Sequence, residues 1–132
     1  MHKEIQSDEK NIRTASADII NYIEKEKGDI GHNTLFDIKL CVEEAVRNAI
    51  IHGNKSKRNL LVGISYDINE DKIKITIEDK GEGFDVKSLP DPTDLSNLYR
   101  SGGRGVYLMH RLMDNVVYNK KGNSVTMEKK LI

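Results

Sequence analysis

Between residues 35 and 49 apolar side chains return every three or four positions, at Leu35, Ile38, Val42, Ala45, Val46 and Ala49. At about 100° per residue these fall on one stripe, which predicts a helix from Asn33 or Thr34, either able to cap it, to about His52. Gly53 then stands where a C′ glycine closes a helix. Ile12, Ala15, Ile19, Ile20 and Ile23 predict an earlier helix reaching about Lys27. It is opened by Ser7-Asp8-Glu9-Lys10, a capping residue followed by acids, and stopped by Gly28 and Gly31. A period of two places Ile73, Ile75 and Ile77 on one face of a strand over 72–78. Residues 59–68 read as its partner across a turn at Asn69-Glu70-Asp71. Residues 2–7 read as a short strand. Val106, Leu108, Met109, Leu112 and Met113 mark a third helix opening at 103–105. Residues 114–119 and 123–131 form a last strand pair across Lys120-Lys121-Gly122-Asn123. This order, β-α-α-β-β-loop-α-β-β, predicts an α+β fold: a two-layer sandwich with helices on one face of a mixed, mainly antiparallel sheet.

The periodicity fails over residues 80–103, which hold four of the ten glycines and both prolines, Pro90 and Pro92. An irregular stretch of this length in a compact domain is functional or disordered. The chain has 132 residues, enough for one domain over 1–132 with one core. Lys plus Arg (21) balances Asp plus Glu (21), so the basic excess of a nucleic-acid or anionic-membrane binder is missing. No apolar run approaches the roughly 18 residues of a membrane span, and Met-His-Lys-Glu-Ile-Gln lacks a signal peptide's apolar region. The single cysteine, Cys41, cannot form an internal disulfide, as expected of a cytoplasmic protein.

Helical phase separates the adjacent acids of the second helix. Lys39, Glu43 and Arg47, spaced by four, form a stripe of alternating charge, which predicts solvent exposure and ordinary surface pairs. Glu44 and Asn48 lie nearly opposite the core stripe, flanked by Leu40, Cys41 and Ile51. That face is either a polar back with scattered aliphatics or one covered by something other than water. His52 continues the same line and reads more readily as a helix-end residue than as a ligand or base. Two glycine clusters add chemistry. Asp79-x-Gly81-x-Gly83 ends a strand; glycines there make a turn or let backbone approach a ligand closely. It is not a dinucleotide fingerprint, because a third glycine is missing, and no Gly-x-x-x-x-Gly-Lys-Ser/Thr phosphate loop occurs. Ser101-Gly102-Gly103-Arg104-Gly105 leads into an amphipathic helix, either as a hinge or as a phosphate site built from free N–H groups and the helix dipole.

Glu44-x-x-x-Asn48, Asp79-x-Gly81-x-Gly83 and Gly103-x-Gly105 in this order resemble the N box and glycine boxes of the histidine-kinase-like (Bergerat-type) ATP-binding fold of gyrase, histidine kinases and MutL. Within it, Glu-Ala-Val-x-Asn-Ala-Ile-x-His-Gly, Asp-x-Gly-x-Gly-Phe-Asp and Asp91-Pro92-Thr93-Asp94 resemble the anti-sigma-factor serine/threonine protein kinases of bacterial sporulation and stress switches. The resemblance spans nearly the whole chain. It implies that Asp79 accepts a hydrogen bond from the adenine amino group, while Gly81 and Gly83 admit base and sugar. Asn48 would offer an oxygen to Mg²⁺ and Glu44 would be the general base. Gly103 and Gly105 would hold phosphate oxygens, and Arg100 or Arg104 would neutralise transferring charge. Residues 84–102 would be the ATP lid.

The partners it implies are a sigma factor and an anti-anti-sigma protein phosphorylated on serine, with no direct contact to nucleic acid or membrane. A homodimer is compatible with it, and Arg13 on the first helix is one candidate contact. A nucleotide-gated binding protein with little phosphotransfer is the alternative, and ATP hydrolysis with water as acceptor is chemically open. The catalytic domain of a sensor histidine kinase is disfavoured, since no phospho-accepting helical segment is expected ahead of the fold.

Overall fold

The computed structural model describes residues 1–82 and 103–131, with 103–106 described by their backbone alone. In chain order the elements are β1 (His2–Gln6), α1 (Asn11–Lys27) and α2 (His32–Asn48), then a π-helical turn (Ala49–Gly53). They continue with β2 (Leu61–Asn69), β3 (Lys72–Glu78), α3 (Gly103–Leu112), β4 (Asn115–Tyr118) and β5 (Ser124–Lys130). The strands form one sheet in the order β1-β2-β3-β5-β4, and each of the four pairings is antiparallel.

Register puts the apolar positions of neighbouring strands opposite one another. Ile64 faces Ile77 and Tyr66 faces Ile75 across β2–β3, while Ile75 faces Met127 and Ile77 faces Val125 across β3–β5. All of these are buried. The alternate positions Lys74 and Glu78 are exposed, so a one-residue slip would turn the whole apolar set to water. The β2–β3 turn is tight, with Asn69 opposite Lys72 and Glu70 at φ 58°.

The helices cover the apolar face. Ile19 and Ile23 of α1, Ile38, Val42 and Val46 of α2, and Met109 of α3 share one core cluster with the strands. Each fully buried aliphatic contributes about 2 kcal/mol relative to exposure. Tyr22 of α1 packs edge-on against Tyr66 of β2 (5.2 Å, 69°) and donates a hydrogen bond to Asp67 Oδ1 at 2.9 Å. Ile38, Val42, Ala45 and Val46 of α2, and Ala49 in the turn that follows, are buried as their spacing predicts, with Leu35 packed at the margin. Among the described residues no helix is long and apolar enough to cross a membrane.

The start of α1 differs from the capping expectation. The helix opens at Asn11 after Lys10, with no side-chain cap. Ser7 is instead buried between distant segments, donating to the Leu60 carbonyl at 2.5 Å and accepting from Asn54 Nδ2 at 2.9 Å. A buried hydroxyl must be satisfied, and here its partners lie far along the chain and not in the local helix.

Candidate functional site

The site is organised by the end of α2. After Asn48 the backbone widens into a π turn, in which Asn54 N–H reaches the carbonyl of Ala49, five residues back, at 2.8 Å. The wider turn changes the direction in which residues 53 and 54 leave the helix, and π turns of this kind recur at functional sites. Gly53 lies against Asp79, just beyond the end of β3. A Cβ at Gly53 would overlap the Asp79 carboxylate, and a Cβ at Gly81 would overlap the Gly53 carbonyl. Gly53 therefore does not serve as a left-handed C′ residue; it is not among the positive-φ glycines. Its requirement is room for a side chain 26 positions later.

Asp79 is 9% exposed. Its Oδ1 accepts from the Gly81 N–H at 2.8 Å, and no described residue donates to Oδ2. Burial pushes the carboxyl above its usual range and neighbouring Glu78 pushes the same way, while the Gly81 hydrogen bond and Lys121 oppose the shift. The peptide of Asp79 is clamped by Asn123 in the β4–β5 turn: Asp79 N–H donates to the Asn123 carbonyl at 2.9 Å, and Asn123 Nδ2 donates to the Asp79 carbonyl at 3.1 Å. The next peptide is held by Asn54, whose Oδ1 accepts from Lys80 N–H at 2.7 Å.

One turn or more back along α2, Glu44 and Asn48 are both half-buried. Glu44 Oε1 accepts from Arg47 Nη1 at 2.9 Å, leaving its second oxygen uncommitted, and no described residue hydrogen-bonds the Asn48 side chain. The neighbouring Cys41 is fully buried, with Sγ 3.8 Å from the Leu108 carbonyl of α3. Burial pushes its thiol up to about 12, with Asp37 adding to the rise. So the flank of this face is covered by α3 on the Cys41 side. The charged stripe is arranged differently from its i, i+4 expectation. Glu43 is not a solvent-facing partner of Arg47: its Oε2 accepts from Ser16 Oγ of α1 at 2.7 Å. Arg47 turns to Glu44 instead, because Ser16 already satisfies Glu43 across the α1–α2 interface.

The fold thus strings Glu44, Asn48 and, through Gly53, Asp79 along one helical run. His52 is exposed and takes no part in these contacts. Gly103 and Gly105 lie in the first turn of α3, the backbone position a phosphate-binding helix start requires. Gly83, Arg100 and the expected lid over 84–102 lie outside the described residues, as does the side chain of Arg104. Sequence reasoning missed Asn54 and Asn123. Only the Gly-Asn pair after the helix hinted at Asn54, and Asn123 was visible only as a turn residue.

Among the described residues no cluster of three His, Cys, Asp or Glu side chains stands ready for a metal. A lone amide oxygen such as that of Asn48 fits an ion held mainly by phosphates and water, as Mg²⁺ usually is. A buried strand-end carboxylate with one uncommitted oxygen fits an exocyclic amino group. The arrangement can bind a base at one end and take up a proton at the other.

A profile of the histidine kinase-like ATPase domain matches residues 5–129. The serine-protein kinase RsbW of Staphylococcus aureus strains bovine RF122 / ET3-1 and MRSA252 is 42% identical over 106 residues, covering 74% of this chain and 67% of the relative. RsbW of strain MSSA476 is 41% identical over the same length. Among solved structures, the mycobacterial sensor histidine kinase MprB superposes with a TM-score of 0.55 at 13% identity, covering 98% of this chain and 97% of that one. The histidine kinase domain of the Erythrobacter litoralis EL346 blue-light activated kinase superposes at 0.52 and 22% identity. There the match covers 91% of this chain but only 61% of that one. These structural likenesses speak to the fold alone.

Proposed function

This chain belongs to the anti-sigma-factor serine-kinase branch of the histidine kinase-like ATPase family, and from that membership we propose that it is a Mg-ATP-dependent serine/threonine protein kinase. In this reading it phosphorylates an anti-anti-sigma protein on serine and withholds a sigma factor. The observation that carries the nucleotide part is Asp79, a buried carboxylate held against Gly53 with Oδ2 left to accept from the adenine amino group. Family membership carries the choice of protein acceptor.

Bound Mg-ATP supplies the phosphoryl group and the cationic counter-charge for its oxygens. Asn48 would hold the ion through its side-chain oxygen. Glu44, with Oε1 committed to Arg47, uses Oε2 to take the proton of the acceptor serine hydroxyl. The serine oxygen then forms its bond to the γ-phosphorus as the bond to ADP breaks. Gly103 and Gly105 would present N–H groups to phosphate at the start of α3, and Arg100 or Arg104 would supply charge. Gly81 and Gly83 would keep the backbone beside the base free of side chains, and the family resemblance assigns residues 84–102 as the ATP lid. In this reading the domain acts in the cytoplasm, on protein partners and not on nucleic acid or membrane, and a homodimer is compatible with this role.

Incubation with Mg-ATP and small candidate partner proteins, read by mass spectrometry, tests the proposal. A phosphate on a partner serine is expected, lost when Glu44→Gln is used. Nucleotide-dependent partner capture with no phosphate on any candidate would instead favour a nucleotide-gated binding protein.

A further inference from the structure

We propose that Gly53 and Asn54 are positioning residues of the nucleotide site: together they aim the Asp79 carboxylate, so that preference for a 6-aminopurine depends on the π turn ending the Glu44–Asn48 helix. The inference rests on reading Asp79 as the adenine contact.

An aspartate at a strand end has two side-chain torsions and would sample several directions if left alone. Here its surroundings leave one. Gly53 supplies the space the carboxylate occupies, since any Cβ there would overlap Cγ and both oxygens. Gly81 N–H holds Oδ1, and Gly81 can do so only where the chain turns at Lys80. Asn54 sets that turn through its hydrogen bond to Lys80 N–H.

Asn54 is itself fixed from the opposite side. It is 1% exposed, and its Nδ2 donates to Ser7 Oγ at 2.9 Å and to the carbonyls of Leu60 and Leu61, both at 3.2 Å. Three acceptors on one end and an N–H on the other leave the carboxamide a single orientation, because reversing it would set donors against donors. A leucine of similar size would strip the Lys80 N–H of its acceptor and the Ser7 hydroxyl and the Leu61 carbonyl of a donor, while the Leu60 carbonyl would keep the one from Ser7. The π turn brings both residues into place, since Asn54 N–H closes that turn on Ala49.

The test compares binding of ATP with that of purine riboside 5′-triphosphate, which lacks the 6-amino group, in the full chain by calorimetric titration. The wild-type protein should prefer ATP by about tenfold or more, the scale of a hydrogen bond to a charged group. Gly53→Ala, where no positive φ opposes the new side chain, should displace the carboxylate and reduce the preference to about twofold or less. Asn54→Ala should do the same by releasing the turn at Lys80. In each case ATP affinity should fall while affinity for the analogue hardly changes. A folded Gly53→Ala or Asn54→Ala protein that keeps the wild-type preference overturns the proposal. So does equal weakening of both nucleotides, which is what a merely structural role would produce. Should Asn54→Ala show no cooperative melting transition, Gly53→Ala decides alone. If the wild-type protein binds ATP with no preference over the analogue, the adenine role of Asp79 fails first and takes this inference with it.

Discussion

Asn48 and Asn54 stand six positions apart on one helical run and carry the same side chain, in opposite circumstances. Asn54 is 1% exposed and makes four side-chain hydrogen bonds, tying the end of β1, the segment before β2 and the end of β3 together. Asn48 is half-buried, with no hydrogen bond to its side chain among the described residues. A buried amide without partners would destabilise the fold by about 1–3 kcal/mol, so only an accessible one can be left free. The end that would recognise a base in the proposed function is over-determined. The face that would meet an ion, phosphate and a partner's hydroxyl in that proposal keeps its polar atoms uncommitted, apart from the Glu44–Arg47 pair.

The largest expected effect lies on the uncommitted face. Glu44→Gln should reduce phosphotransfer by about 10²–10⁴-fold, measured by serine phosphorylation of a partner. Undiminished transfer would remove Glu44 as base and leave that face without a catalytic purpose. On stability the order reverses. Asn54→Ala should cost about 2–4 kcal/mol in denaturant unfolding, from several buried hydrogen bonds lost together, whereas Asn48→Ala should stay within about 0.5 kcal/mol. Similar losses at the two sites would erase the contrast.

A third test uses pH. Asp79 has its carboxyl raised in the folded protein, so the native state keeps a proton where the unfolded chain, near 3.8, has released it. The stability from this group is therefore present at low pH and is lost as pH rises from 3.8 through the raised native value. Asp79→Asn should lack that decline, and without nucleotide at neutral pH it should be at least as stable as the wild-type protein. A less stable Asp79→Asn at neutral pH would mean that the ionised carboxylate supports the fold instead of burdening it. The smallest effect belongs to Arg47→Ala. Its partly exposed ion pair with Glu44 should contribute no more than about 0.5 kcal/mol to stability. A larger loss would place Arg47 among the structural ties, with Asn54.

The same contrast marks what the sequence could disclose. The core stripe of α2 and the alternating isoleucines of β3 were legible because periodicity is a local property, and β3 spans the residues expected of it. Glu44, Asn48 and Asp79 were legible as a set of candidates through the resemblance to the family motif. The ties around Asn54 were not, because their partners are distant in the chain. Ser7 looked like a helix cap, but its partners are Asn54 and Leu60. Gly53 looked like a helix stop, but it makes room for Asp79. Glu43 looked like a surface partner of Arg47, but Ser16 on the neighbouring helix holds it. Local rules have no view of a competitor brought in by tertiary folding, and the π turn leaves no periodic signature that would announce it.

The division between a recognition end and a transfer face is tested most directly by titrating Mg-ATP into the wild-type, Asp79→Asn and Glu44→Gln proteins side by side. Asp79→Asn should weaken binding by about 10–100-fold, the range for a hydrogen bond to a charged group, while Glu44→Gln should bind within about twofold of wild type. Unchanged affinity in Asp79→Asn, or an equal loss in both variants, would contradict the account.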